Sequence, residues 1–140
     1  MKVSVIINAK NEEKGIKHAL RYWLNQTHKD IEIIVVDNKS TDRTPEIVRE
    51  YMKQYENLKL IEGEGKGLAA ARNQGFKHAT GEVIIWSDAD MHPELRQDTL
   101  LESIVKEFEV DKDVDVVFTD YKIFFTGKLL TDAISIYKFG

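Results

Sequence analysis

Apolar residues along the chain fall into two patterns that alternate. Short, nearly continuous apolar runs predict buried strands: Val3-Ser4-Val5-Ile6-Ile7-Asn8, Ile31-Glu32-Ile33-Ile34-Val35-Val36-Asp37, Leu58-Lys59-Leu60-Ile61, Val83-Ile84-Ile85-Trp86-Ser87 and Val114-Asp115-Val116-Val117-Phe118. Between them, apolar residues recur at helical spacing: Ile16, Ala19, Leu20, Trp23 and Leu24, then Ile47, Val48, Tyr51, Met52 and Tyr55, then Leu100, Leu101, Ile104, Val105 and Phe108. A further helix reads from Leu68 and closes near Thr80-Gly81. Asn11 is expected to cap the first helix, with Glu12 and Glu13 in its first turn, and Thr44 the second, with Pro45 at its first position. Gly15 costs the first helix about 1 kcal/mol relative to alanine. Trp23, Phe76 and Phe108 are expected in the core. Tyr121 to Phe125 extends the fifth strand or makes a sixth, and Leu129 to Phe139 predicts a last amphipathic helix.

Strand and helix alternate four times, which predicts an α/β fold: a parallel sheet with helices on both faces and right-handed crossovers. Such sheets bind ligands beyond the carboxyl ends of their strands. Asn8 and Ala9, Asp37, and Asp88 with Asp90 stand at those ends. In extended backbone residues i and i+2 point the same way, so Asp88 and Asp90, separated by the small Ala89, can share one cation. Magnesium and manganese take oxygen ligands, often one or two carboxylates plus phosphate oxygens. With 11 Asp in 140 residues, about one Asp-x-Asp match arises by chance. Two further matches, in Asp111-Lys112-Asp113-Val114-Asp115, read as a solvated linker. His92 is a weak further candidate for the metal. Position at the sheet edge is what lifts the first match.

Composition narrows the picture. A chain of 140 residues that is 42% hydrophobic builds one core and one domain. A net charge of −4, with Lys and Arg dispersed, argues against nucleic-acid binding. The chain has no cysteine, which excludes disulfide and thiolate chemistry. The apolar run at 3–7 is too short for a signal peptide or a membrane span, so a cytoplasmic protein is the default expectation.

Residues 3 to about 95 resemble the family 2 glycosyltransferases of the GT-A fold. The resemblance rests on Val3-Ser4-Val5-Ile6-Ile7 with Asn11-Glu12-Glu13, Asn25-Gln26-Thr27, and Val35-Val36-Asp37-Asn38-Lys39-Ser40-Thr41-Asp42. Gly67-Leu68-Ala69-Ala70-Ala71-Arg72-Asn73, Gly81-Glu82 and Asp88-Ala89-Asp90 complete it, in family order and at family-like spacing. It implies a Rossmann-like three-layer α/β/α sandwich with a mostly parallel central sheet, truncated on the acceptor side. Residues 1–140 would then form a single nucleotide-sugar-binding domain that lacks most of the acceptor-binding half.

The resemblance further implies an inverting, metal-dependent transfer from a nucleoside diphosphate sugar to an acceptor hydroxyl, with Mg²⁺ or Mn²⁺. By analogy Ala9 and Glu12 lie near the base and ribose, Asp37 near the base, and Lys66 and Arg72 towards the phosphates. Asn11 and Asn38 join this nucleotide-binding set, Asp88 lies near the ribose or metal, and Asp90 ligates the metal. Asn38 stands where many members carry a second acid associated with uracil recognition, which leaves a uridine donor open. Asn8 stands where proline is common. The catalytic base belongs to the acceptor half; Asp120 is the candidate inside the chain.

Implied partners are the nucleotide sugar and a carbohydrate or lipid-linked acceptor. An interfacial tail helix would allow peripheral contact at the inner face of the membrane or a homodimer. The main rival is a catalytically incomplete nucleotide-sugar-binding module, or a fragment of a longer membrane-associated enzyme. A dinucleotide oxidoreductase is disfavoured because Asn8-Ala9-Lys10-Asn11-Glu12 has no glycine for close approach to a pyrophosphate. A nucleotidyltransferase is disfavoured because Glu12 and Glu13 would repel a triphosphate.

Overall fold

The computed structural model describes residues 1–90, 98–125 and 128–138. Its centre is four parallel strands, β1 (Val3–Ala9), β2 (Ile31–Asp37), β3 (Leu58–Glu62) and β4 (Val83–Asp88), connected through α1 (Ile16–Leu24), α2 (Thr44–Met52) and α3 (Leu68–His78). After α4 (Leu100–Val110) come β5 (Val116–Phe125) and β6 (Lys128–Lys138). The six strands lie in the order β3-β2-β1-β4-β6-β5, with β6 antiparallel to both neighbours. The α/β architecture with a mostly parallel sheet is therefore the one the alternation predicts.

The helix expected over Leu129 to Phe139 does not form among the described residues, since 129–138 lie in β6; Phe139 is outside them. Thr131, Ile134 and Ile136 are β-branched, and Ala133-Ile134-Ser135-Ile136 alternates with period two, which suits a pleated strand. Pairing with β4 on one side and β5 on the other supplies the backbone hydrogen bonds that an isolated helix would otherwise provide. Tyr121 to Phe125 continues β5 rather than making a separate strand.

Alternation along the strands divides the core into two layers. Val3, Val5 and Ile7 pack with Ile33, Val35, Val83 and Ile85 beneath α1, α2 and α4. Ile6, Ile34, Val36 and Ile84 pack on the other face against Ala71 of α3. The connections towards β3 thus lie on one face and the return crossing to β4 on the other, as a constant hand requires when the chain reverses direction across a sheet. Trp23 and Phe108 are fully buried as expected. Phe76 is not: it is 41% exposed. α3 instead turns Ala71 and Gly75 to the sheet, and a Cβ on Gly75 would stand 2.5 Å from Ile6 Cγ2, so only glycine lets the helix lie this close. Met52 is also largely exposed at the end of α2.

Polar side chains fasten the elements. Gln26 is buried and its Oε1 accepts from Leu101 N–H at 3.1 Å, while Thr27 N–H donates to Asp98 O at 2.7 Å. These bonds tie the end of α1 to the start of α4, a physical reason for the Asn25-Gln26-Thr27 stretch. At the amino edge of the sheet Glu32 is buried in an otherwise apolar strand. Its carboxylate accepts from Ser4 Oγ at 2.6 Å, Thr80 N–H at 2.6 Å, Thr80 Oγ1 at 2.8 Å and Lys59 Nζ at 2.9 Å. Burial alone would raise its pKa, but these donors outweigh burial and hold it at about 2.

A pKa below the unfolded value contributes stability above that value, and the contribution is lost as pH falls through the folded one. For Glu32 the window runs from about 4.5 down to about 2 and the contribution is on the order of 3 kcal/mol. Glu32→Gln is expected to lose that amount in urea denaturation at pH 7. The gap between the variant and the wild type should close as pH is lowered across the same window; a gap that stayed constant with pH would contradict the account.

Candidate functional site

The strand register brings the sequence-predicted acids to one edge. Ala9 pairs with Asp37, and Asn8 stands between Val36 and Asp88. Asn8, Ala9, Asp37 and Asp88 are therefore neighbours across three strands although up to 80 residues separate them in the chain. The edge is anchored from below: Trp23 Nε1 of α1 donates to Ser87 Oγ at 2.9 Å, and Ser87 directly precedes Asp88. A buried aromatic thus satisfies its one polar atom while fixing the end of β4.

Two loops rise from this edge and interlock. Asn11 N–H donates to Ser40 Oγ at 2.9 Å, Glu12 N–H to Thr44 Oγ1 at 2.8 Å and Glu13 N–H to Asp42 Oδ2 at 3.0 Å. In return Thr41 N–H donates to Asn11 Oδ1 at 2.8 Å and Arg43 N–H to Glu13 Oε2 at 3.2 Å. Asn11 adopts a left-handed backbone, φ 55°, which asparagine tolerates better than most residues. Neither expected cap forms. α1 begins at Ile16 after Gly15, and α2 begins at Thr44 itself, with no side-chain cap on either. The side chains that would cap their own helices are spent across the gap: Asn11 serves the second loop, and Thr44 Oγ1 serves Glu12 N–H while donating to Asp42 Oδ1 at 2.6 Å. Burial pushes the Asp42 carboxyl up, but bonds from Thr44 and Glu13 outweigh it and lower its pKa.

The interlock holds Glu12 over the end of β4. Its pKa is raised, first by burial and then by the charges of Asp90, Asp42 and Asp88. Glu12, Asp88 and Asp90 thus share one electrostatic neighbourhood. Asp88 and Asp90 are exposed while Ala89 between them is buried. Among the described residues no three His, Asp or Glu side chains are grouped to hold a metal ion. A hard cation here would complete its shell with phosphate oxygens or water, the usual habit of magnesium. His92 lies outside the described residues.

The remaining predicted residues divide. Asp37 is buried; Oδ2 accepts weakly from Ser40 N–H at 3.3 Å, and Oδ1 makes no hydrogen bond among the described residues. Asn38 Oδ1 accepts from Gly65 N–H at 2.9 Å, and Gly63 N–H donates to Asp37 O at 2.7 Å, so the loop after β3 is pinned to the end of β2. Ala9 is buried and its carbonyl accepts from Asn38 N–H at 2.8 Å. Arg72 places its guanidinium carbon 5.9 Å from the Trp86 ring centroid, a cation–π arrangement on the α3 face. Lys66 is exposed and pairs with Glu64 at 2.8 Å, which raises its pKa. Asp120 lies within β5, paired with Ala133, rather than after the strand's end. Val117 pairs with Ile136, which pairs with Ile85, so Asp120 stands three residues on, level with the end of β4 and separated from it by β6.

Gly15 is a site residue that periodicity could not reveal. A Cβ there would stand 2.8 Å from Ala89 O and 3.1 Å from Asp90 Cα. Gly15 lets the start of α1 lie directly against the Asp88-Ala89-Asp90 backbone. Its only sequence signal is a glycine at a costly position beside a helix.

The model of Glycosyl transferase family 2 matches residues 4–136 of the chain. The probable glycosyltransferase YdaM of Bacillus subtilis is 43% identical over 99 residues, covering 66% of this chain and 24% of that protein. The mannosyltransferase PcManGT from Pyrobaculum calidifontis, solved with GDP-Man and Mn²⁺, superposes with a TM-score of 0.79 at 28% identity over 98% of this chain and 44% of its own. TarS 1–349 of S. aureus, solved with UDP-GlcNAc, gives 0.71 at 32% identity over 83% and 33%. Across curated relatives such as YdaM, the chain spans only 15% to 38% of their length.

Gly15→Ala is expected to destabilise the fold by about 2 kcal/mol in urea denaturation, because the methyl group meets backbone atoms that cannot move without shifting the Asp88–Asp90 turn. A stability equal to that of the wild type would show that the turn accommodates a side chain freely.

Proposed function

The chain belongs to glycosyl transferase family 2, and on that premise we propose that its carboxyl edge binds a nucleoside diphosphate sugar with a divalent cation and delivers the sugar to an acceptor hydroxyl with inversion. The observation that carries this is the meeting of Glu12, Asp88 and Asp90 at the end of β4, where burial first, and then the charges of Asp90, Asp42 and Asp88, raise the Glu12 pKa. Carboxylates gathered at this edge suit a cation placed between them and a diphosphate. Asp88 and Asp90 would hold Mg²⁺ or Mn²⁺, which when bound neutralises charge developing on the departing diphosphate.

The chain's own residues do the rest. Asp37, with one carboxylate oxygen lacking a hydrogen bond among the described residues, is suited to accept from a base N–H. Arg72 and Lys66 supply positive charge towards the phosphates. Asn38, Asn11 and Ala9 act chiefly by fixing loops, since their oxygens accept the bonds described above. Asn38 in place of a second acid leaves the choice between a uridine and a guanosine donor to the test.

Asp120 is the candidate base inside the chain, by its height at the carboxyl edge. A second reading is a donor-binding module without turnover. No helix among the described residues is long and apolar enough to cross a membrane. A lipid-linked acceptor would then be met at a membrane surface, as a peripheral contact.

Calorimetric titration with UDP-, GDP- and dTDP-sugars, with Mn²⁺ and with chelator, tests the site. One nucleotide is expected to bind in a metal-dependent manner, and Asp90→Ala is expected to weaken it at least tenfold. Undiminished binding in chelator would sink the metal role. Binding without transfer to any acceptor would decide for the module.

A further inference from the structure

One polar side chain at the edge has no role in the account above. Asn8 lies on the α3 face of β1, two residues beyond Ile6. Its Oδ1 and Nδ2 are both enclosed and make no hydrogen bond among the described residues. Enclosed polar atoms without partners are costly, and a carboxamide carries two. Arg72 Nε is a third enclosed atom of the same kind.

These groups share one level of the structure. α3 runs from the carboxyl edge back towards the amino edge, because it joins two parallel strands. It touches the sheet at Gly75, where a Cβ would stand 2.5 Å from Ile6 Cγ2 and 3.1 Å from Val36 Cγ2. Arg72 precedes Gly75 by three residues, about 4.5 Å along the helix axis. Asn8 follows Ile6 by two residues, about 6.6 Å along the strand. Both displacements point towards the carboxyl edge, so the two side chains stand at nearly the same height between α3 and the sheet. Trp86, which the Arg72 guanidinium overlies, is the register partner of Ile6 and lies one pleat before Asp88.

We propose that Asn8 is a positioning residue for Arg72: when a diphosphate draws the guanidinium from Trp86 towards the carboxyl edge, Asn8 Oδ1 accepts the Arg72 Nε–H and fixes the direction in which the remaining guanidinium N–H groups point. The enclosure of Asn8 directs its effect through Arg72 rather than onto the ligand. The role rests on reading the edge as a diphosphate site.

The test is a double-mutant cycle on nucleotide affinity, with UDP and GDP as probes in the presence of Mn²⁺, run on the full chain. Asn8→Ala is expected to weaken binding about tenfold, the size of one charge-assisted hydrogen bond. Asn8→Asp, which keeps the acceptor, should restore most of that loss. Arg72→Lys keeps the charge but has no Nε–H, so Asn8→Ala in that background should cost less than twofold further. Equal losses in both backgrounds would overturn the proposal and make Asn8 an independent contact or a structural residue. Asn8→Ser, too short to reach across, serves as the second variant where Asn8→Ala fails to fold, and wild-type affinity in it would overturn the proposal equally. Failure of the wild type to bind either nucleotide would sink the diphosphate reading and this role with it; wild-type binding untouched by Asn8→Ala would sink this role alone.

Discussion

The register of β1 between β2 and β4 is the constraint on which the molecule depends. β1 contributes no catalytic side chain type, yet it pairs on both sides, and its pairing decides which residues meet. A slip of one residue would turn Val3, Val5 and Ile7 from one core layer to the other and carry Asp37 and Asp88 out of line with Ala9 and Asn8. The two core layers forbid it, because both faces of β1 are buried and differ in their packing. Hydrophobic sorting at the centre of the sheet therefore sets the geometry of carboxylates at its rim.

That rim gathers like charges, which is unfavourable in the absence of a cation. Directional bonds hold the two loops that rise from this rim. Backbone N–H groups of Asn11, Glu12 and Glu13 find oxygens in the loop after β2, and Asp42 accepts from both sides of the gap. The opposite edge handles its buried acid in the reverse manner, surrounding Glu32 with hydroxyls, an N–H and lysines. One edge stores repulsion and the other is electrostatically at rest, which is the arrangement expected of a site and a support.

Much of this was legible in the sequence, for identifiable reasons. The buried strands and the stripes on α1 and α4 followed from periodicity, since Trp23, Leu101, Ile104 and Phe108 obey the spacing that burial imposes. The acids at the carboxyl edge followed from strand order. The caps did not, because Asn11 and Thr44 carry ordinary capping side chains that the fold commits to a partner about 30 residues away. No local rule sees such a trade. The tail was misread for the opposite reason: Leu129, Leu130, Ile134 and Tyr137 fit a helical stripe, and only the availability of β4 and β5 as pairing partners decides for a strand. Gly15 and Gly75 were visible as glycines, but what approaches them is a property of the packed molecule.

The interlocked loops carry a consequence for variation within this lineage. Each loop's hydrogen bonds end on the other, so neither has a length of its own: a residue inserted after β1 displaces Asn11, Glu12 and Glu13 from Ser40, Asp42 and Thr44 together. Surface loops ordinarily absorb insertions at little thermodynamic cost. These two behave as a lock and its bolt, free to change only in concert, and the segment that looks most like a connection is among the least tolerant of a change in chain length.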